Sequence, residues 1–504
     1  MPGPVTDWGF LLVLAVMLPI SGVLLALLLG GRRAELVVFA LLPVGLGVAL
    51  AIAAVISRGG QPIGYSLGGW APPLGVALRA DGLSVVMLVT TSLLISGIAL
   101  FARPDFQPPD TVPEARAPLV FWVLLLALWG ALNAVFVARD LFNLYVMLEL
   151  LTFGAVPLVC LDGRAETLTA ALRYLLFALV GSVLYLLGNA LFYGTYGTLD
   201  ILLLASRVHG EPSAWVAAAL MTCGLLAKTA LFPLHLWLPP AHAGAPAPAS
   251  ALLSSLVVKG PFFIIVRLWF DAMPGLLHQV AAPLLGLMGA GAVLAGSVLA
   301  LRQRRLKLLI AYSTVAQIGY LFLMFPLAGG AGIGQPLSSA AWTGGTLQAV
   351  SHAFAKAAMF TGAGLIVQTL GHDQIADLRG VGRVLPLTTF GLGLAGLSLM
   401  GLPPSGGFLA KWLQVIASIA THRWWWALVI LAGGLLAGGY MFRVLAPMVS
   451  GDVAPLTLRQ TVPRHREAVV LAFALCAVLL GVLPLGLSEL LQIGRPAAAS
   501  LTLR

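Results

Sequence analysis

The chain has 504 residues, 60% hydrophobic and 9% charged, whereas soluble globular domains carry about a quarter charged residues, so a water-soluble core is excluded. The net charge of +10 does not indicate a nucleic-acid binder, because the basic residues are scattered over short connections between apolar runs and read as a topology signal. Cys160, Cys223 and Cys476 lie far apart inside apolar runs. Neither a disulfide framework nor a metal or iron–sulfur ligand set is readable, so no cofactor is expected and any redox chemistry belongs to a partner.

Apolar runs of about 18 to 25 residues, each long enough to cross a bilayer as a helix, recur from end to end. About fourteen are expected, beginning near residues 9, 35, 83, 117, 140, 170, 214, 247, 280, 306, 341, 385, 424 and 468. The fold class is therefore all-α integral membrane, with 1–504 as a single membrane domain. The first run, Trp8 to Gly30, has no basic residue before it and Arg32 and Arg33 after it, which reads as a retained span and not a cleaved leader. Gly59 to Pro73, with Gly68, Gly69, Trp70, Pro72 and Pro73, predicts a turn-rich external loop with a short hairpin. Arg103 to Pro118, rich in proline, predicts a polar loop on the other side.

Two spans are interrupted. The seventh, Trp215 to Leu238, contains Pro233 and runs into Pro239 and Pro240; the twelfth, Leu385 to Ala420, is cut by Gly401, Pro403, Pro404, Gly406 and Gly407. Proline removes a backbone donor, and the freed carbonyls must face protein or water because they cannot face lipid. The interruptions are five spans apart, and odd spacing reverses direction. This predicts two inverted five-helix repeats with discontinuous helices 7 and 12: 117–270 (helices 4–8) and 280–447 (helices 9–13).

Assigning alternate loops to alternate sides puts Arg32, Arg33, Arg103, Arg116, Arg164, Arg173, Arg302, Arg304, Arg305, Lys307, Arg379, Arg383, Arg459, Arg464 and Arg466 on one side. Arg58, Arg79, Arg139, Arg207, Arg267, Arg423, Arg495 and Arg504 fall on the other. The richer side is expected to be cytoplasmic, with both termini on the opposite side.

Of five lysines in the chain, Lys228, Lys259, Lys356 and Lys411 sit inside apolar spans and only Lys307 at a loop; among the arginines only Arg443 lies well inside. A charge at a helix centre costs about 2.5 to 3.5 kcal/mol on insertion scales, so four impose a penalty of order 10 kcal/mol that needs a reason. Snorkelling to the interface suits Arg443 and fits Lys228 less well. Arginine stays protonated at any physiological pH, whereas a desolvated lysine can exchange its proton near neutrality, so the choice of lysine favours a proton relay over mere packing. Glu149, about 13 Å along its helix at 1.5 Å per residue, is the one acid deep in a span, with Lys228 as the expected partner. The plainer reading is a neutral glutamic acid bonded to a carbonyl. His352 and Lys356 are four apart on one helix face, which suits proton hand-on better than a core histidine would. His235 and His242 flank the end of the broken seventh helix as accessory candidates. Gly391-Leu-Gly-Leu-Ala-Gly396 matches a dinucleotide fingerprint by letter, but without a strand before it close helix packing is the expected role.

Asp140-Leu-Phe-Asn-Leu-Tyr-Val-Met-Leu-Glu149, Leu226-Ala-Lys-Thr-Ala-Leu-Phe-Pro-Leu-His-Leu-Trp-Leu-Pro-Pro-Ala-His242, Ser351-His-Ala-Phe-Ala-Lys356 and Gly401-Leu-Pro-Pro-Ser-Gly-Gly-Phe-Leu-Ala-Lys411 together resemble the antiporter-like subunits of respiratory complex I. Their relatives, the D subunit of Mrp-type Na⁺/H⁺ antiporters and pump subunits of membrane-bound hydrogenases, share the likeness, which is densest from about residue 80 to 420. The resemblance implies fourteen helices in two inverted repeats, packed beside sister subunits. It also implies roles: Glu149 as the fifth-helix carboxylate paired with Lys228, Lys259 as the eighth-helix lysine, His352 and Lys356 as the eleventh-helix link, and Lys411 as the terminal site. Gly68-Gly-Trp-Ala-Pro-Pro-Leu-Gly75 and the Asp140 to Tyr145 run look like the Mrp version; Ala241 to Ser250 is closer to the complex I and hydrogenase versions. Lys411 departs from the complex I member with glutamate there, and Pro261, two residues after Lys259, predicts a kink in the eighth helix.

The function expected is a proton-translocating subunit of a multisubunit cation/proton antiporter in the cell (inner) membrane, with protons, and Na⁺ as candidate counter-ion, as its partners besides lipid and sister subunits. The alternatives are a proton-pumping subunit of a complex I or hydrogenase assembly, and a structural subunit whose charges only hold neighbours. Lysines facing the inside of one bundle favour translocation; lysines at an outer seam favour the structural reading.

Overall fold

The computed structural model describes residues 6–107, 116–329, 336–450, 458–483 and 486–495. The middle of the proline-rich loop (108–115), Arg504 and both extreme termini lie outside the described residues. Eleven described helices are long and apolar enough to cross a membrane, and most begin within a few residues of the predicted starts: Phe10–Leu29, Gly31–Gly59, Gly82–Asp105, Arg116–Val137, Leu141–Val159, Ala165–Tyr196, Ala247–Ala272, Ala282–Leu301, Leu306–Ala328, Leu337–Leu370 and Trp425–Val449. Side chains cap several starts. Asp81 Oδ1 accepts from the Ser84 amide at 3.0 Å, Asp140 from those of Phe142 and Asn143 at 2.9 and 3.0 Å, and Ser405 Oγ from that of Phe408 at 3.1 Å, each satisfying an orphan donor.

The predicted hairpin forms, with Ile63–Ser66 antiparallel to Ala77–Ala80 and Ile63 opposite Ala80. Its return strand lies beyond Pro73, where the expected loop stopped, and Gly68 and Gly69 hold the positive φ (65° and 78°) its connection requires.

Both predicted interruptions are real breaks. Pro212–Thr229 ends at Ala230, which is left-handed, and a short helix, Leu238–Gly244, follows. There Trp237 Nε1 donates to the Ala227 carbonyl at 2.9 Å. Pro386–Met400 ends at Gly401 (φ 82°), and Gly406–Ala420 resumes. Pro261 does not break its helix. Widened π turns at Leu253–Val257 and Arg267–Ala272 flank Lys259–Val266 instead, a way for a helix to absorb a missing donor without exposing backbone.

Glycines set how closely helices approach. A Cβ on Gly224 would lie 2.2 Å from the Gly181 carbonyl oxygen, and one on Gly188 2.7 Å from that of Ala217, so Ala165–Tyr196 and Pro212–Thr229 meet backbone to backbone. Gly289 and Gly319 do the same for Ala282–Leu301 and Leu306–Phe322. In Gly391–Gly396 the outer glycines pack against Leu471 and Met441, and the segment is helical as expected.

Besides Lys228–Glu149, ion pairs join described residues of the same loop set. Arg103–Glu35 (2.7 Å), Arg305–Asp373 (2.9 Å), Arg164–Asp162 and Arg466–Asp105 join loops of the arginine-rich set; Arg139–Asp200 (2.7 Å), Arg267–Asp81 (2.6 Å) and Arg267–Asp271 (2.8 Å) join the other. Arg267, expected at a loop or span end, lies near the end of Ala247–Ala272 but is buried, and two carboxylates, the Ser84 hydroxyl at 2.9 Å and the face of Phe263 replace its water. Burial alone would raise the Asp81 carboxyl, but the Arg267 guanidinium holds it below the usual carboxylate range. Lys307, also expected at a loop, is buried at the start of its helix and donates to the Ala245 carbonyl at 3.0 Å.

Two outcomes follow from this packing. Gly224→Val should lower the detergent melting temperature by overpacking worth about 1–3 kcal/mol, whereas Gly393→Ala, with nothing within 4 Å of the added carbon, should hold or raise it. Arg267→Ala strands two buried carboxylates and should cost about 3–5 kcal/mol, read as the same melting shift, with the double change to Asp81→Asn less costly than the sum.

Candidate functional site

Lys228 is the penultimate residue of Pro212–Thr229, and its stem crosses Gly181, where a Cβ would come within 3.2 Å of Lys228 Cγ. The close glycine contact therefore delivers the ammonium to the neighbouring Leu141–Val159 helix. There Nζ donates to Glu149 Oε1 at 2.9 Å, Thr152 Oγ1 at 3.0 Å and the Leu148 carbonyl at 3.5 Å. Glu149 Oε1 also accepts from the Ser182 hydroxyl. The lysine and glutamate side chains are 6% and 16% exposed, so the pair is close to dry and depends on these added bonds.

A cavity of about 10 Å³ lined by Lys228, Thr152, Val257 and Pro261 adjoins the next group, on the π-widened helix. Lys259 is fully buried and donates to the Ser254 carbonyl; Ser254 Oγ is 2.9 Å from Thr314 Oγ1. Lys356 donates to the Ile310 carbonyl at 2.9 Å and to the Ser313 hydroxyl. Lys411 donates to the Leu399 carbonyl at 2.6 Å, with its ammonium 4.2 Å from the Tyr320 ring centroid. An uninterrupted helix would pair Leu399 with residue 403, but Pro403 has no N–H, so the carbonyl is left for Lys411 and for Gln317 Nε2 at 2.9 Å.

His352 is one helical turn before Lys356 on the same helix. It is buried, neither ring nitrogen has a hydrogen-bond partner, and it interacts electrostatically with Lys259, Lys356 and Lys411. His242 is also buried without partners, stacked on Phe360 at 4.4 Å and in reach of Lys259, Lys307 and Lys356. His235 stands apart, against Phe232 and Tyr312. The fold thus forms the Glu149–Lys228 pair and gathers Lys259, His242, His352, Lys356 and Lys411 into one electrostatically connected group.

Sequence reasoning missed the neutral groups that hold these charges: Thr152, Ser182, Ser254, Ser313 and Gln317. Serines, threonines and glutamines are frequent in spans, and nothing in their spacing marks the few that meet an ammonium. The proline at 403 was a usable signal for the Leu399 carbonyl, four residues before it.

Residues 138–437, which carry all of these groups, match the family model described as NADH:quinone oxidoreductase/Mrp antiporter, TM. The N subunit of the NADH-quinone oxidoreductase of Desulforudis audaxviator is 33% identical over 406 residues, covering 79% of this chain and 77% of its own. The D subunit of the Na(+)/H(+) antiporter of Alkalihalophilus pseudofirmus is 29% identical over 442 residues, covering 86% of each. A chain of the Mrp complex from Dietzia sp. DQ12-45-1b shares the fold, with a TM-score of 0.86 at 23% identity over 96% of both chains. The chain is a multi-pass membrane protein that belongs to the NADH:quinone oxidoreductase/Mrp antiporter transmembrane family.

Proposed function

We propose that the chain is the proton-translocating subunit of a multisubunit monovalent cation/proton antiporter, similar to the Mrp D subunit. Protons are held on Lys228, and formation and breaking of the Glu149–Lys228 pair drives them through Lys259 and the His352–Lys356 link to Lys411. The observation that carries this reading is that all four span lysines are buried within one chain, Lys259 and Lys356 fully and Lys228 and Lys411 at 7% and 5% exposure. Charges serving only to hold a neighbour would lie on the outer surface.

The same reading counts each broken pair, Pro212–Thr229 with Leu238–Gly244 and Pro386–Met400 with Gly406–Ala420, as one span, and Arg464–Leu479 as the last. That gives fourteen, arranged as inverted repeats over 117–270 and 280–447 within one membrane domain. The arginine-rich end faces the cytoplasm of a cell (inner) membrane and both termini the other side. Sister membrane subunits supply the energy or the counter-ion, for which Na⁺ is the candidate.

A second reading, a pumping subunit of a redox-driven complex, is favoured by the 33% identity to the N subunit of an NADH-quinone oxidoreductase. Isolation of the native complex separates the two: small membrane subunits alone indicate the antiporter, iron–sulfur proteins the redox pump.

In vesicles, Lys228→Ala and Glu149→Ala should each reduce proton-coupled transport to background while assembly, followed by co-purification, is retained. Lys228→Arg should be equally inactive, since guanidinium does not release its proton. Full transport in both alanine variants would sink the relay.

A further inference from the structure

The relay just proposed leaves a gap between Lys356, on the Pro336–Leu370 helix, and Lys411, on Gly406–Ala420. No hydrogen bond joins these two ammonium groups directly. A third helix, Trp425–Val449, reaches into the gap with Tyr440, which is fully buried.

Three sets of contacts converge on this phenol. Tyr440 Oη faces the side chains of Ser313 and Gln317, yet it has no settled hydrogen-bond partner. Ser313 is the hydroxyl that accepts from Lys356 Nζ. Tyr440 is also in electrostatic reach of Tyr320, the ring against which the Lys411 ammonium rests. Gln317 is fixed at both ends of its amide: Oε1 accepts from Gln348 Nε2 at 2.8 Å and Nε2 donates to the Leu399 carbonyl at 2.9 Å, the carbonyl that also accepts from Lys411.

A buried hydroxyl held this loosely by its neighbours demands an explanation. Packing gives none, because phenylalanine would fill the same volume without burying an oxygen. A hydroxyl can accept one proton while releasing its own, which an amide or a carbonyl cannot do.

Resting on the relay reading, we propose that Ser313 and Tyr440 form a hydroxyl bridge that carries the proton from Lys356 to Lys411, with Gln317 as its positioning residue. An N–H bond on the Lys356 ammonium breaks as an O–H bond forms on Ser313, whose own hydroxyl turns from the Ile310 carbonyl, to which it donates at 2.9 Å, and passes its proton to Tyr440. The Tyr440 proton passes through one water molecule to the neutral amine of Lys411, where an N–H bond forms. Gln348 Oε1, buried without a partner, is an acceptor available to that water. Both hydroxyls end as they began, one charge has moved, and nothing is oxidised or reduced.

The test is proton flux per assembled complex in vesicles for Tyr440→Phe, with Lys356→Ala and Lys411→Ala alongside and the melting temperature measured for each. Flux at least tenfold below the parent in Tyr440→Phe, with melting and co-purification unchanged and both lysine variants inactive, is the expected result. Parental flux in Tyr440→Phe beside inactive lysine variants would overturn the bridge and leave the relay standing. Parental flux in the lysine variants would overturn both. Should Tyr440→Phe fail to assemble, Ser313→Ala, which deletes the neighbouring oxygen, decides by the same criterion.

Discussion

Backbone carbonyls inside a hydrocarbon layer have no water to turn to, and the far end of the site, at Lys411, follows from where a proline deprives one of its amide. A helix interior leaves each carbonyl only its second lone pair, which the Ile310 oxygen offers to Lys356; a carbonyl that has lost its amide partner is a fuller acceptor. Pro403 removes the donor that Leu399 would have used, and the freed oxygen becomes the ligand of Lys411 and Gln317. Widening achieves a related end without a break: on the π-turned segment before Pro261, the Ser254 carbonyl takes the Lys259 ammonium. The irregularities cost helix hydrogen bonding and return it as solvation for charge.

The four lysines are not solvated alike. Lys228 alone meets a carboxylate, Glu149, whereas Lys259, Lys356 and Lys411 bond to carbonyls, a hydroxyl and an aromatic face. The distinction has a chemical consequence. A carbonyl or hydroxyl oxygen accepts a hydrogen bond from an ammonium and from a neutral amine alike, while a carboxylate interacts far more strongly with the ammonium. Neutral ligands therefore accommodate a lysine in either protonation state, and in the proposed relay the Glu149 pair is where charge is held or released by a change of distance. His352, with both nitrogens unbonded and in electrostatic reach of three lysines, has no carboxylate partner either.

Much of this was legible in the sequence because bilayer thickness imposes a length on every span and exacts a penalty for every charge. Helix starts, both breaks, the hairpin and the set of buried lysines all follow from runs of apolar residues and from residues that have no business in them. Arg267 and Lys307 were misread for one reason: a basic residue near a span end looks like a loop residue, and only the fold reveals that Asp81 and Asp271, or the Ala245 carbonyl, wait beside it. The neutral polar partners were not legible at all, since Ser313 or Thr152 differs from dozens of other span hydroxyls only in what lies across the helix interface. That information is long-range: Lys356 and Ser313 are 43 residues apart, Lys228 and Thr152 76.

The outward surface bears on the choice between the relay proposed above and a purely adhesive role for the charges. Leu28, Leu435 and Phe442 are 82%, 80% and 74% exposed, and an apolar exterior of that kind suits lipid or the helices of a neighbour without any ionic contact. If the lysines served cohesion, the least costly arrangement would put them where a neighbour's carboxylate could reach. They are buried instead, Lys228 with its stem against Gly181, at positions that spend insertion free energy to keep an ionisable group inside. The proposed relay accounts for that cost through titration, which lysine permits and arginine does not.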